Sequence, residues 1–192
     1  MDVIDHGSSQ MSDRQEYNRG KTYIRDKAIY TLALNTGIRV SELVSLDIGD
    51  IDFRRHCFNI IRKRGKEDTV YFSDSVEAAL LDWLEIRPQF LSDQNEQALF
   101  LSTQGSKKGL RLSVRSVEIL VKKYAKIGAP EIGSKITPHK LRSSYATKII
   151  EKTGGDINYA KNVLGHENIT TTTHYIKDNE KQKELNRNLL DT

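Results

Sequence analysis

This chain of 192 residues has only one cysteine, and it lacks long apolar runs and internal repeats. Its single cysteine, Cys57, excludes an intramolecular disulfide framework and argues against a structural zinc site. No apolar run approaches the roughly 20 residues needed to span a bilayer, and the N-terminus has no apolar segment typical of a signal peptide. We therefore expect a soluble, cytoplasmic protein without a membrane partner.

A strong excess of one charge is also missing. The chain has 30 Lys and Arg residues against 26 Asp and Glu, so its net charge of +4 and pI near 9.0 favour an anionic partner only mildly. The length fits one domain with tails. The local distribution of charge must therefore identify any binding site.

The hydrophobic periodicity predicts a mainly helical domain that begins near Ile24 and extends to residue 177. Residues 1–23 are polar and lack sustained periodicity, so we interpret them as a linker or disordered lead-in. Gly37 suits the left-handed end of the first helix, and Thr137 with Pro138 is a good helix start. Helices are predicted at residues 25–36, 40–46, 75–87, 112–128, 138–152, 157–164 and 178–190, the last of them a polar tail helix.

A β-hairpin with a basic tip interrupts the helices. Cys57 to Ile61 and Thr69 to Phe72 favour β-structure, and the turn residues between them contain the run RKRGK, residues 62–66. Four cations in five residues repel one another unless an anion lies nearby, so we weigh phosphate contact evenly against an ordinary soluble turn. The fold class is α+β: mainly α with a small antiparallel hairpin.

Five positions outside the hairpin tip attract attention for their chemistry. Arg39 follows a helix-ending glycine, and His139 and Arg142 share one face near a helix N-terminus, where free amides favour an anion. His166 follows a glycine, and Tyr175 lies near the C-terminus. Taken singly, each has a structural explanation as a solvated arginine, a capping histidine or a packing tyrosine. Together with a hairpin lysine they supply what the attack on a phosphodiester needs without a metal.

Three segments resemble the signature boxes of the tyrosine recombinases of the phage-integrase or Xer-like type. They are TGIRVSEL (36–43), TPHKLRSSYAT (137–147) and LGHENITTTTHY (164–175). His166 lies 24 residues after Arg142 and Tyr175 lies 9 after His166, as is typical of that family. The resemblance implies the tyrosine recombinase catalytic-domain fold and a site-specific recombinase or integrase activity with no cofactor and no metal.

The resemblance also implies a role for each residue. Tyr175 would attack the scissile phosphate and form a 3′-phosphotyrosyl bond, while Arg39 and Arg142 would hold the non-bridging oxygens. His139 would act as general base or proton relay, and His166 would donate a hydrogen bond to the same phosphate.

The general acid that protonates the leaving 5′ oxygen would be a lysine on the hairpin. Lys63 lies 24 residues after Arg39 and matches the family's distance best, with Lys66 as the alternative. The remaining cations near the expected site are predicted DNA contacts: Arg62, Arg64, Lys66 and Lys140.

Two features depart from the family. Ser143 follows Arg142 where many relatives have a histidine, and the helical core-binding domain that precedes the catalytic domain in relatives is absent. We therefore interpret the chain as a catalytic fragment, with a naturally short protein as the alternative. The expected partner is double-stranded DNA, with a tetramer on synapsed sites that passes through a Holliday junction, and a monomer or weak oligomer alone. Residues 178–192 would be exchanged between protomers.

Three other functions fit parts of the same pattern. A type IB topoisomerase uses similar residues, but the short spacing of the third box favours a recombinase. A DNA-binding protein without cleavage would not need all six proposed catalytic residues, and a helical interaction domain would leave the arginine pair unexplained. The sequence does not specify the DNA target or choose between chromosome dimer resolution, phage integration and conjugative transposition. General likeness favours a mobile-element integrase.

Overall fold

The computed structural model describes residues 13–165. The chain forms two compact units that divide after Arg142. In the described range, none of the helices is both long and apolar enough to cross a bilayer. The predicted tail helix at residues 178–190 lies outside this range.

Helices make up most of the first unit. They are α1 (Asp13–Thr36), α2 (Val40–Ser45), α3 (Asp74–Ile86), α4 (Val114–Gly128) and the beginning of α5 (Pro138–Lys152). The predicted positions of all five are confirmed, with one large difference in a boundary. Helix α1 begins 12 residues before the predicted helix at residues 25–36, within the segment interpreted as a linker or disordered lead-in.

Two charged residues of α1 are buried. Arg25 and Asp26 are almost fully buried, although both are charged. Arg25 donates through Nη1 to the Leu101 carbonyl and the Thr103 hydroxyl, each at 3.0 Å, and Asp26 accepts hydrogen bonds from Arg25 and from the Tyr124 hydroxyl. These contacts satisfy the requirement that buried charges be paired and hydrogen-bonded.

A three-stranded antiparallel sheet follows α2 along the chain. Its strands are β1 (Ile51–Asp52), β2 (Cys57–Ile61) and β3 (Glu67–Tyr71), in the order β1-β2-β3. In the β2–β3 pair, Phe58 lies opposite Val70 and both are buried, whereas Asn59 and Thr69 face solvent. The predicted hairpin is confirmed, and β3 begins two residues earlier than expected. Strand β1 is too short to show alternation.

The core of the first unit includes buried side chains from the hairpin, such as Phe58, and from the α1–α2 junction, such as Ile38. Trp83, Phe58 and Phe100 are its largest buried side chains. The Trp83 indole donates to the Leu99 carbonyl at 2.8 Å, so its one polar atom is satisfied. The fold class predicted from the sequence, mainly α with a small antiparallel sheet, is confirmed.

The second unit contains the remainder of α5 and helix α6 (Ile157–Leu164). The Asp156 carboxylate accepts the backbone N–H of Tyr159 at 2.8 Å and caps the start of α6. Gly165 ends it in the left-handed conformation, with φ of 60°. Both ends of α6 therefore lie where the sequence predicts them.

Candidate active site

Arg39 occupies the short turn between α1 and α2. Gly37 ends α1 with φ of 59°, and its N–H donates to the Ala33 carbonyl at 3.1 Å. Arg39 is then the N-cap residue of α2, whose first helical hydrogen bond runs from Leu43 N–H to the Arg39 carbonyl at 2.9 Å. The backbone on both sides of Arg39 is thus held by hydrogen bonds.

Glu42 holds Arg39 from one turn further along α2. Its carboxylate accepts the backbone N–H of Arg39 at 2.9 Å and Arg39 Nη1 at 2.7 Å. The side chain of Glu42 is 6% exposed, whereas that of Arg39 is 26% exposed and reaches the surface. Glu42 was not among the predicted site residues, although a glutamate three residues after a helix N-cap is a sequence signal for this contact.

The pKa of Glu42 reflects two opposing effects. Burial raises this pKa, because an ionised carboxylate is poorly solvated in the protein interior. Hydrogen bonds from the Arg39 side chain and backbone, together with the charges of Arg62 and Arg39, lower it, and the net pKa lies below the usual range of a glutamate. Glu42 is therefore a permanent anion among these arginines at neutral pH.

Arg142 approaches the same turn from a distant part of the chain. It lies on α5, is 4% exposed, and donates from Nη1 to the carbonyl oxygen of Gly37. Gly37 is two residues before Arg39, so the structure brings Arg142 to the loop that carries the other predicted phosphate-binding arginine.

His139 and Lys140 lie in the first turn of α5. Both side chains are exposed, and His139 lies three residues before Arg142. The Thr137 hydroxyl accepts the backbone N–H of Lys140 at 3.3 Å, so the predicted helix start is also a capped one.

The hairpin tip is a tight turn that presents cations to solvent. Residues Lys63–Gly65 form a single 3₁₀ turn, in which Arg64 and Gly65 both have positive φ, of 65° and 76°. The Arg62 N–H donates to the Lys66 carbonyl at 2.7 Å and closes the turn. Arg64 and Lys66 are exposed, so both can reach a DNA backbone.

Arg62 is placed differently from the other predicted DNA contacts. Its side chain is 7% exposed, with Nε 2.9 Å from Asp68 Oδ2 and Nη1 3.1 Å from Glu42 Oε2. Its Nε and Nη1 therefore face carboxylates, and its role as a DNA contact stays a prediction. The sequence contains no local signal for the contact with Glu42, because Glu42 lies 20 residues away.

Two predicted catalytic residues, His166 and Tyr175, lie outside the described residues, so their roles stay predictions. Lys63 lies in the hairpin turn where it was predicted. Among the predicted catalytic residues, the structure therefore brings Arg39 and Arg142 to one loop.

One group in the described range has the residue types of a metal site. It consists of His56, Asp74 and Glu77, whose ligand atoms lie within 4.8 Å of one another. However, His56 Nδ1 lies 3.3 Å from Asp74, while His56 Nε2 lies 3.5 Å from Glu77. A metal ion binds one ring nitrogen, so this arrangement fits an imidazole that lies between two acids better than an ion site.

Comparison with known proteins gives one consistent picture. Residues 9–182 match the phage integrase family. A tyrosine recombinase XerC of Vibrio cholerae serotype O1 is 40% identical over 153 residues, which are 79% of this chain and 46% of that protein. The chain thus spans about half the length of the curated relatives that it matches.

Solved structures share the fold. The crystal structure of XerA recombinase has a TM-score of 0.67 and 28% identity, and the match covers 88% of this chain and 60% of that one. The Tn1549 transposon integrase in complex with transposon right end DNA has a TM-score of 0.61 and 22% identity, with 92% and 65% covered. At the latter identity, the likeness concerns the fold alone.

Proposed function

This chain belongs to the phage integrase family, and we propose that it is the catalytic part of a site-specific tyrosine recombinase acting on double-stranded DNA. The observation that carries the proposal is the hydrogen bond from Arg142 to Gly37 beside Arg39. Two guanidinium groups at one phosphate stabilise the charge that develops during phosphoryl transfer, which is the largest contribution such a site can make without a metal.

Tyr175 supplies the nucleophile in this proposal. Its phenolic oxygen attacks the scissile phosphorus while His139 accepts or relays the phenol proton. The bond from phosphorus to the 5′ oxygen breaks, and that oxygen takes a proton from Lys63. His166 donates a hydrogen bond to the phosphate. The products are a 3′-phosphotyrosyl ester and a free 5′-hydroxyl.

The reverse reaction rejoins DNA without ATP. The phosphotyrosyl ester retains the energy of the broken phosphodiester, so a 5′-hydroxyl from another strand displaces Tyr175 in an isoenergetic step. Four protomers on two synapsed sites would exchange one pair of strands, form a Holliday junction and exchange the second pair. Residues 178–192 would dock on a neighbouring protomer.

Exposed cations next to the reaction centre would hold the DNA backbone. Arg64, Lys66 and Lys140 are the proposed phosphate contacts, and their contribution should fade with salt because each contact releases counterions. The mobile-element role rests on general likeness in the sequence, because the likeness to the transposon integrase concerns the fold alone. The sequences of recombined junctions would test that role.

Covalent trapping tests the proposal even when the target sequence of the DNA is unknown. We would incubate the chain with a pool of duplexes that carry a randomised segment and a nick. The nick lets the short cleaved strand diffuse away, so the covalent adduct accumulates and is separated on a denaturing gel. Sequencing the trapped DNA would also reveal the preferred site.

Tyr175→Phe should abolish the adduct and leave DNA affinity within about twofold, because only the nucleophilic oxygen is lost. Tyr71→Phe is the matched control: Tyr71 is 64% exposed on β3, and its variant should form the adduct normally. An adduct formed by Tyr175→Phe would refute the choice of nucleophile. A wild-type chain that forms no adduct with any duplex would refute the proposed function.

A further inference from the structure

We propose that Arg62 is a positioning residue of the recombinase site, holding Glu42 and through it Arg39, and is not a DNA contact. The inference rests on the proposed function and concerns the one buried member of the basic run at residues 62–66 whose side-chain contacts are described. Arg62 is 8% exposed, whereas Arg64 and Lys66 are exposed at the tip.

The carboxylate of Glu42 is shared between two guanidinium groups. Glu42 Oε1 accepts from Arg39 Nη1 at 2.7 Å and from Arg62 Nη1 at 3.3 Å, and Oε2 accepts from the Arg39 N–H at 2.9 Å and from Arg62 Nη1 at 3.1 Å. A carboxylate offers about four acceptor positions, so these contacts fix its orientation. Loss of Arg62 would remove half of them.

Arg62 also balances the charge next to Arg39. If Arg39 were paired with Glu42 and Arg62 were absent, the negative charge of the buried carboxylate would cancel much of the positive electrostatic potential that Arg39 produces at the phosphate. Because Arg62 takes up part of the Glu42 charge, the alternating series Arg39, Glu42, Arg62 and Asp68 has no net charge before DNA arrives. The charge of Arg39 then acts on the phosphate in a partly water-excluded site.

The backbone of Arg62 holds the turn that contains Lys63. Its N–H donates to the Lys66 carbonyl at 2.7 Å, and its carbonyl accepts the Gly65 N–H at 3.2 Å. The side chain, meanwhile, joins α2 through Glu42 and β3 through Asp68. Arg62 therefore connects the turn that contains Lys63, the predicted general acid, to helix α2, whose N-cap residue is Arg39.

Single-turnover cleavage and DNA affinity separate this role from phosphate contact. Arg62→Met should slow cleavage at saturating DNA about 100-fold, as a displacement of about 1 Å in the site would, with affinity unchanged within about twofold. The matched control Arg115→Met replaces an arginine whose side chain is 74% exposed, and it should leave cleavage and DNA affinity at wild-type values. Arg64→Met, at a proposed phosphate contact, should instead weaken DNA binding and lower the slope of log affinity against log salt by about one.

Arg62→Lys keeps the positive charge but removes the planar guanidinium, whose donors contact the carboxylates of Glu42 and Asp68 at the same time. It should fold and bind DNA normally, yet cleave about tenfold more slowly. This variant carries the test if Arg62→Met fails to fold. Normal cleavage by either folded variant would overturn the proposal, and so would weaker binding with a lower salt slope, which would make Arg62 a phosphate contact.

A DNA substrate with sulfur in place of the bridging 5′ oxygen tests the path through Glu42 and Arg39. A thiolate leaves without a proton, so this substrate should correct the defect of Lys63→Ala and not that of Arg62→Lys. Correction of Arg62→Lys would show that Arg62 acts through Lys63 alone, and would overturn the assigned path. Because wild-type chain must form the adduct in every arm, failure here is distinct from failure of the proposed function.

Discussion

The guanidinium of Arg142 donates a hydrogen bond to the carbonyl oxygen of Gly37, although the two residues lie 105 positions apart. Gly37 has two roles in this contact: its left-handed backbone directs the chain towards Arg39, and its carbonyl receives the second arginine. A defect at either residue should therefore affect both halves of the phosphate site.

Gly37→Ala should lower the free energy of unfolding by about 1 kcal/mol, because a Cβ is strained at its φ of 59°. It should also slow cleavage by displacing Arg39. Urea unfolding and single-turnover kinetics provide the measurements. Gly49→Ala is the control, since its backbone is outside the left-handed region and an added Cβ would meet nothing within 4 Å. Equal losses in both variants would contradict the role assigned to Gly37.

Arg142→Lys should reduce the cleavage rate by a factor of about 100 or more, because an ammonium cannot contact the Gly37 carbonyl and a phosphate oxygen with one planar fork. DNA affinity should change little. Arg115→Lys is the control, because Arg115 is 74% exposed by its side chain and pairs only with Glu118 in the hydrogen bonds described. A rate near that of wild type would remove Arg142 from the reaction.

Lys63→Ala should slow cleavage of ordinary DNA by about 10²- to 10⁴-fold, the usual contribution of a general acid. Lys66→Ala should act mainly on DNA affinity, since Lys66 is an exposed residue at the end of the turn. Comparison of both variants on ordinary and sulfur-substituted DNA gives the ranking. If Lys66→Ala is instead the slow variant whose rate the sulfur corrects, the general acid is Lys66.

Because the pKa of Glu42 is lowered in the folded protein, the free energy of unfolding should decrease as the pH falls. As the pH falls, the unfolded chain takes up this proton before the folded chain does. The stability that Glu42 contributes is therefore complete above the usual pKa of a glutamate, and it is lost as the pH falls through the lowered value of the folded state.

Urea unfolding at a series of acidic pH values would measure this loss. Glu42→Gln has no carboxylate to titrate, so its unfolding free energy should change less over the same range than that of wild type. The control Glu85→Gln removes an exposed carboxylate and should keep the wild-type dependence. An unchanged acid dependence in Glu42→Gln would contradict the lowered pKa.

Local signals explain which elements could be predicted. Thr137 and Pro138 mark the start of α5, Gly165 marks the end of α6, and alternation marks β2, because capping and side-chain periodicity depend on neighbours within a few residues. The start of α1 could not be found in this way. Residues 13–23 are polar and show no sustained periodicity, so no apolar stripe marks this part of the helix.

A distinction between local sequence signals and distant contacts applies to the candidate active site. Residue types and order in the sequence alone determined which arginines, histidines, lysine and tyrosine to examine, and the family match supports that choice. Only the tertiary structure decided that Arg62 is enclosed by Glu42 and Asp68 while Arg64 faces solvent. The reason is physical. A buried charged side chain contacts the opposite charge that the fold brings nearest, and the spacing of residues along the sequence does not reveal which charge that is.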